Sequence, residues 1–211
     1  KEKNRNSDIR IVYSAMDALN IAQDNPDKQI VFAGVGFETT SPTIAATVLE
    51  AISRKISNFS ITSFFRLIPP ALNALLTMDN IKIDGFILPG HVSTIIGEYP
   101  YRFINIPSVI SGFEPEDILQ SVEMLIEQIA EGKTEIQNQY KIAVKKNGNK
   151  RAVKLLYDVF EICDSKWRGI GTIKASGLKL KKDFASFDAI KKFNINIKPV
   201  NDPKGCACGE I

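Results

Sequence analysis

The chain has 211 residues, of which 44% are hydrophobic and 24% charged, a balance that excludes a disordered or fibrous polypeptide and suffices for one or two buried cores. Twenty-seven Lys and Arg against 24 Asp and Glu leave a formal charge of +3, scattered apart from short runs such as Lys145-Lys146 and Lys191-Lys192, so nothing in the charge argues for nucleic acid. No apolar stretch approaches the roughly 20 residues that a membrane-spanning helix needs, and Lys1 to Asp8 is polar rather than leader-like, so a soluble protein without membrane or secretory signal is expected.

Short apolar runs alternate with longer segments of helical period, the pattern of βα units feeding a mostly parallel sheet, which makes the fold class α/β. In chain order the pattern predicts a strand over Ile9–Tyr13, a helix over Ala15–Gln23 and a strand over Gln29–Val35. Helix Thr43–Arg54, strand Phe59–Phe64, helix Ala71–Met78 and strand Gly85–Leu88 follow, then helix Thr94–Tyr99, strand Ser108–Ser111 and helix Pro115–Glu131. Asn25-Pro26-Asp27 stops the first helix, while Pro42 and Pro115 sit where helices begin, with φ already set for a first turn. Residues 1–135 thus form a βα-repeat region, with two related halves dividing near 65–80. A smaller α/β region is expected over 136–200, with a helix from about Lys150 to Glu161 and a Gly-rich stretch from Trp167 to Leu178, and the start of a cysteine-rich region over 201–211. Gly36-Phe37-Glu38 after one apolar run is echoed by Gly112-Phe113-Glu114 after another, two strand exits of one design.

In open parallel sheets the ligand crevice lies outside the carboxyl ends of the strands, which points to Glu38, His91 and Glu114, each following a strand and a glycine. Helix capping alone, worth about 0.3–1 kcal/mol, also accounts for either glutamate. His91, the single histidine, is equally readable as a buried hydrogen-bonded residue. Thr39, Thr40 and Ser41 at a helix start make a fair anion site, although neither a P-loop nor a strand-linked G-x-G-x-x-G accompanies them. Three cysteines are too few for a disulfide framework and fit a reducing cytoplasm. Cys206 and Cys208, spaced by one alanine and flanked by glycines, suit iron–sulfur or zinc ligation or a dithiol relay, whereas Cys163, in an apparently helical run, reads as core. A chain that opens on Lys and stops shortly after a cysteine pair reads as an excised portion.

Taken together, Val12-Tyr13-Ser14, Gly36-Phe37-Glu38-Thr39-Thr40, Pro69-Pro70-Ala71, Pro89-Gly90-His91-Val92, Gly112-Phe113-Glu114-Pro115, Trp167-Arg168-Gly169, Ser176-Gly177-Leu178 and Gly205-Cys206-Ala207-Cys208-Gly209 resemble the HypD family in the same order. The resemblance implies a cytoplasmic hydrogenase maturation scaffold. Bound to HypC, it would hold iron while two cyanides, handed over by HypE, and one carbon monoxide are attached, giving the Fe(CN)2CO moiety of nickel–iron hydrogenases. It also implies a [4Fe-4S] cluster in a C-terminal part that Cys206 and Cys208 would begin. The family's Gly-Pro-Gly-Cys-Pro-Val-Cys segment, whose thiolates are the expected iron ligands, has no match here, so the expectation is a scaffold that binds no metal by itself. Two other readings compete: a metal-dependent α/β enzyme binding a divalent ion through Glu38, His91 and Glu114, and a plain protein-interaction module.

Overall fold

The computed structural model describes residues 8–78 and 82–196. Helix α1 (Ala15–Asp24) is fixed at its start by a capping box: the Ser14 hydroxyl accepts the Asp17 N–H at 3.1 Å, and the Asp17 carboxylate accepts the Ser14 N–H at 2.9 Å. Strand β1 (Ile30–Gly36), helix α2 (Ser41–Ser53) and strand β2 (Phe59–Phe65) form a parallel βαβ unit, in register from Ile30 opposite Phe59 to Gly36 opposite Phe65. Asn58 holds its entrance. Its buried side-chain amide donates to the carbonyls of Ala22, Asn25 and Lys28 at 2.8, 3.0 and 2.8 Å, so the loop before β1 is tied to the residue before β2.

The second sheet is parallel in the order β3 (Phe86–Pro89), β4 (Ser108–Ser111), β5 (Ile136–Asn138). Helix α3 (Ile68–Leu76) leads into it, α4 (Gly90–Ile96) joins β3 to β4, and α5 (Pro115–Glu131) joins β4 to β5. Helix α6 (Lys150–Val159) then runs without a loop into β6 (Phe160–Trp167), which pairs antiparallel with β7 (Gly171–Leu180), and the short α7 (Ala189–Lys192) follows.

Two apolar cores result, and they interleave along the chain. The first combines Leu19, Val48, Phe59 and Phe65 with Leu156, Phe160, Leu180 and Phe187. The second is built from Leu88, Tyr101, Ile104, Ile110 and Val144, with Ile68 and Leu72 of α3 packed against it. The mixed α/β architecture with alternating helices and strands is therefore that of the sequence pattern.

Several element assignments need correction. Ile9–Tyr13 is not a strand: the stretch has the apolar composition of one but, among the described residues, no pairing partner, and the Ser14 capping box turns it directly into helix. Helix α3 starts at Ile68 rather than Ala71: Pro69 and Pro70 both lie in its first turn, where missing N–H donors cost no hydrogen bond. Helix α4 starts earlier than expected and ends at Ile96 because Gly97 adopts φ +77°. Helix α6 stops at Val159 rather than Glu161. Cys163, read as helical, lies half-buried on β6 opposite Gly177. The Gly-rich stretch is a hairpin rather than irregular chain, and it is docked on the end of β2: Leu67 N–H donates to the Ser176 carbonyl at 2.9 Å, and Arg66 Nη2 to that of Lys166 at 2.9 Å. The half-buried Trp167 ends β6 and donates from Nε1 to Ser176 Oγ at 2.8 Å.

Strand exits are tightly packed at the backbone level. A Cβ built on Gly90 meets the Ser111 carbonyl oxygen at 2.2 Å, so β3 and β4 approach where only glycine fits. We expect Gly90→Ala to cost about 1–3 kcal/mol, as overpacking does in well-filled interiors. A thermal or urea midpoint equal to that of the parent chain would remove the close approach from the account.

Candidate functional site

The exit of β1 is shaped by Gly36, whose φ of +149° and whose contact with Thr40, 2.2 Å from a Cβ placed there, leave no room for a side chain. The chain then folds back on itself, with Thr40 and Ser41 N–H both donating to the Phe37 carbonyl, at 3.1 and 3.2 Å, and α2 begins. This turn drives Glu38 inward, to 3% exposure. Its Oε1 accepts the Ile68 N–H at 2.9 Å, at the first residue of α3, while Oε2 is buried with no hydrogen-bond partner. Burial raises this carboxyl from 4.5 to about 7, against the opposing pull of the backbone N–H groups of Glu38 and Ile68.

Two tyrosines share its surroundings. Tyr101 is fully buried with its hydroxyl 3.1 Å from Ser93 Oγ, and burial together with the Glu38 charge pushes its ionisation upward, against the Ser93 hydrogen bond. Tyr157 on α6 is pushed the same way, first by burial and then by Glu38. Glu38 therefore lies within electrostatic reach of a residue of the second core and of a helix that packs on the first.

His91 and Glu114 occupy the other sheet. Pro89 and Ser111 are register partners at the ends of β3 and β4, so the segments after them leave the sheet side by side. His91, exposed in the first turn of α4, lies against the Phe113 ring with centroids 4.1 Å apart and planes 31° from parallel. Glu114 is the exposed N-cap of α5, and its backbone N–H donates to Asp117 Oδ2 at 3.3 Å. Gln139 organises this exit: its Oε1 accepts the Gly112 N–H at 3.1 Å, and its Nε2 donates to Asp117 Oδ1 at 2.8 Å.

Glu38, His91 and Glu114 thus all follow the carboxyl ends of parallel strands, and the structure brings His91 beside Phe113 and Glu114 while placing Glu38 at the start of α3. Thr39 and Thr40 lie half-buried ahead of α2, with Thr40 as its N-cap and no side-chain cap bond. Among the described residues no group of three His, Cys, Asp or Glu side chains is placed to hold a metal ion, so Glu38, His91 and Glu114 are not gathered as one. Cys163 carries a thiol pushed up mainly by burial, which keeps it protonated rather than a ready ligand. Cys206 and Cys208 lie outside the described residues. Ser93, Tyr101, Tyr157 and Gln139 were not among the residues the sequence pointed to; Ser93 stands directly after Pro89-Gly90-His91-Val92, and the two tyrosines and the glutamine have no motif around them.

Geometry and topology define an α/β protein whose polar side chains collect where parallel strands end. The sequence matches the family described as "HypD: Hydrogenase formation hypA family" over residues 1–211, and the chain belongs to that family. It is 44% identical to hydrogenase maturation factor HypD2 of Bradyrhizobium diazoefficiens over 100% of this chain and 58% of that protein. It is 41% identical to hydrogenase maturation factor HypD of Cupriavidus necator, over 100% of this chain and 59% of the relative. With HypD of Escherichia coli K12 it shares 43% identity over 99% of this chain and 57% of the relative. The chain therefore spans somewhat less than three-fifths of the length of the relatives it matches. Among the described residues no helix is long and apolar enough to cross a membrane.

Proposed function

We propose that this chain is the α/β scaffold portion of a hydrogenase maturation factor on which, with HypC and HypE, the Fe(CN)2CO moiety of nickel–iron hydrogenases is assembled in the cytoplasm. One observation carries the reading: within a chain matched end to end by the HypD family, the Gly-Phe-Glu-Thr-Thr, Pro-Gly-His-Val and Gly-Phe-Glu-Pro segments all sit at carboxyl ends of parallel strands, where such sheets receive ligands. Iron is cargo in this scheme. The chain's own side chains would orient and polarise its diatomic ligands: His91 as an exposed donor backed by Phe113, and Glu38 as a carboxyl able to carry a proton at neutral pH.

The [4Fe-4S] cluster implied by the family needs four thiolates, whereas the described residues supply Cys163 alone, and its thiol is held protonated. They do not fit a cluster, and no step of the proposal runs through one; Cys206 and Cys208 are its proposed first ligands. The test is replacement of the matched portion of E. coli HypD by this chain, with hydrogenase activity and the infrared bands of iron-bound cyanide and carbon monoxide as readouts. Restoration is expected, with a loss of about 10²-fold for His91→Ala, the scale of a lost general acid–base or donor group. A chimera that binds HypC and shows unchanged bands in both His91→Ala and Glu38→Ala would overturn the assignment of the cleft.

A further inference from the structure

Helix α5 packs the wrong residues inward for a helix at the surface of a finished protein. Its fully buried side chains are Ser121 and Gln128, at 0% and 1% exposure, whereas Leu119, Ile126 and Ile129 stand 71%, 60% and 48% exposed, and Ile118 and Val122 are also exposed. At about 100° per residue these five apolar residues fall on one flank of the helix. That flank lies between the inward seam of Ser121 and Gln128 and an acidic outer face carrying Glu116, Glu123 and Glu127. It is turned sideways within the helix layer, toward the position that a neighbouring helix over the same sheet would take. Phe113 and Ile118 occupy the two positions of a helix-start staple, which carries the apolar strip to the strand exit where Phe113 meets His91.

Three observations say what covers it. Helix α5 contains no Lys or Arg, so a second copy of this chain would bring one acidic rim against another, and the charge calls instead for a basic rim. The sheet beneath is open at one edge: among the described residues β3 pairs with β4 only, and Ile87 of β3 is exposed. Finally, about two-fifths of the length of HypD2 of B. diazoefficiens lies outside the stretch that matches this chain, enough for several βα units.

We propose that the exposed flank of α5 is the seat of an amphipathic helix, apolar along one side and lined with Lys or Arg along its rim, contributed in cis by the polypeptide that longer family members carry outside the matched stretch. The proposal rests on the family assignment and the packing of α5, and it stands or falls independently of the chemistry at His91 and Glu38.

Site-specific maleimide labelling tests it, with Ile126→Cys and Glu127→Cys made singly after the native cysteines are changed to Ser. Each is placed in the 211-residue chain and in a chimera that adds the remaining polypeptide of HypD2 from B. diazoefficiens. In the chimera labelling at Ile126→Cys should slow by about tenfold or more while Glu127→Cys changes by less than about two-fold; in the 211-residue chain both should react fast. Leu119→Asp in the chimera, with an unchanged circular dichroism spectrum, should restore fast labelling at Ile126→Cys, which separates docking from general rigidity. A monomeric chimera that labels at Ile126→Cys as fast as the 211-residue chain overturns the proposal, as does protection that appears only when purified HypC is added. Slow labelling already in the 211-residue chain, accompanied by sedimentation as a dimer, assigns the flank to a second copy and equally overturns it.

Discussion

Replacing Phe65 by Ala should cost about 3–5 kcal/mol, the range for a buried aromatic residue whose site cannot collapse. Phe65 is completely buried at the end of β2 and meets Phe160 edge-on, with centroids 5.4 Å apart and planes at 79°, so the ring joins the first strand pair to the start of the hairpin. Its far side lies over Gly34, where a Cβ would come within 2.8 Å of the Phe65 Cζ. Gly34→Ala should therefore destabilise the parent chain but be better tolerated in Phe65→Ala, because the added methyl then enters a vacancy. Urea unfolding of the two single variants and the double variant measures this coupling, with an unchanged m-value as the check that midpoints report stability. Strict additivity would show that Phe65 and Gly34 do not share space.

Glu38 should make the stability of the protein fall as pH rises through neutrality. Burial lifts its carboxyl to about 7 in the fold from an ordinary 4.5, so between those values the folded chain binds a proton that the unfolded chain has released. The stabilisation is fully present below about 4.5 and is lost as pH climbs through about 7, on a scale of about 3 kcal/mol for a shift of that size. Glu38→Gln keeps an oxygen for the Ile68 N–H and removes the charge, so the slope of stability against pH over this window should flatten. Unfolding midpoints of the parent chain and Glu38→Gln, measured in steps from acid to mildly alkaline pH, decide it. Parallel curves for the two proteins would place the titrating group elsewhere.

The regular part of this fold was open to reading because its signals are local. Pro42 and Pro115 announce α2 and α5, the apolar runs announce β1, β2 and β4, and the α/β alternation sets the class. What escaped depends on partners distant in sequence. Ile9–Tyr13 is the more apolar of two runs and Phe160–Trp167 the more charged, yet only the second is a strand. Among the described residues the first has no strand beside it and the second pairs with β7, so tertiary context decides between them. The Gly-rich stretch predicts no strand because glycine is a poor strand former, yet Gly177 sits opposite Cys163 where a Cβ would meet that of Ser165 at 2.7 Å. The two Gly-Phe-Glu segments make the same point at the site. Glu38 is buried because α3 begins directly above the β1 exit, whereas Glu114 caps its own helix in solvent, and three identical letters do not distinguish those fates. Residues placed after strands could be proposed from order alone; Ser93, Tyr101 and Tyr157 could not, since what makes them relevant is the folded neighbourhood of Glu38.

The interleaving of the two cores has a consequence for how the protein comes into being on the ribosome. Residues 68–144, which supply the second core, are an insertion whose two ends return to the first. That inserted part is contiguous in sequence and can complete its packing as soon as it has emerged. The first core cannot: the side of it built from Leu19, Val48, Phe59 and Phe65 waits for Leu156, Phe160, Leu180 and Phe187, which are translated only after the whole insertion. During that interval β1 and β2 present an apolar surface without its lid, the condition in which a nascent chain is most exposed to misassociation and most dependent on chaperones. Between these two cores, order of synthesis and order of folding thus run opposite to each other: the one begun earlier is completed later.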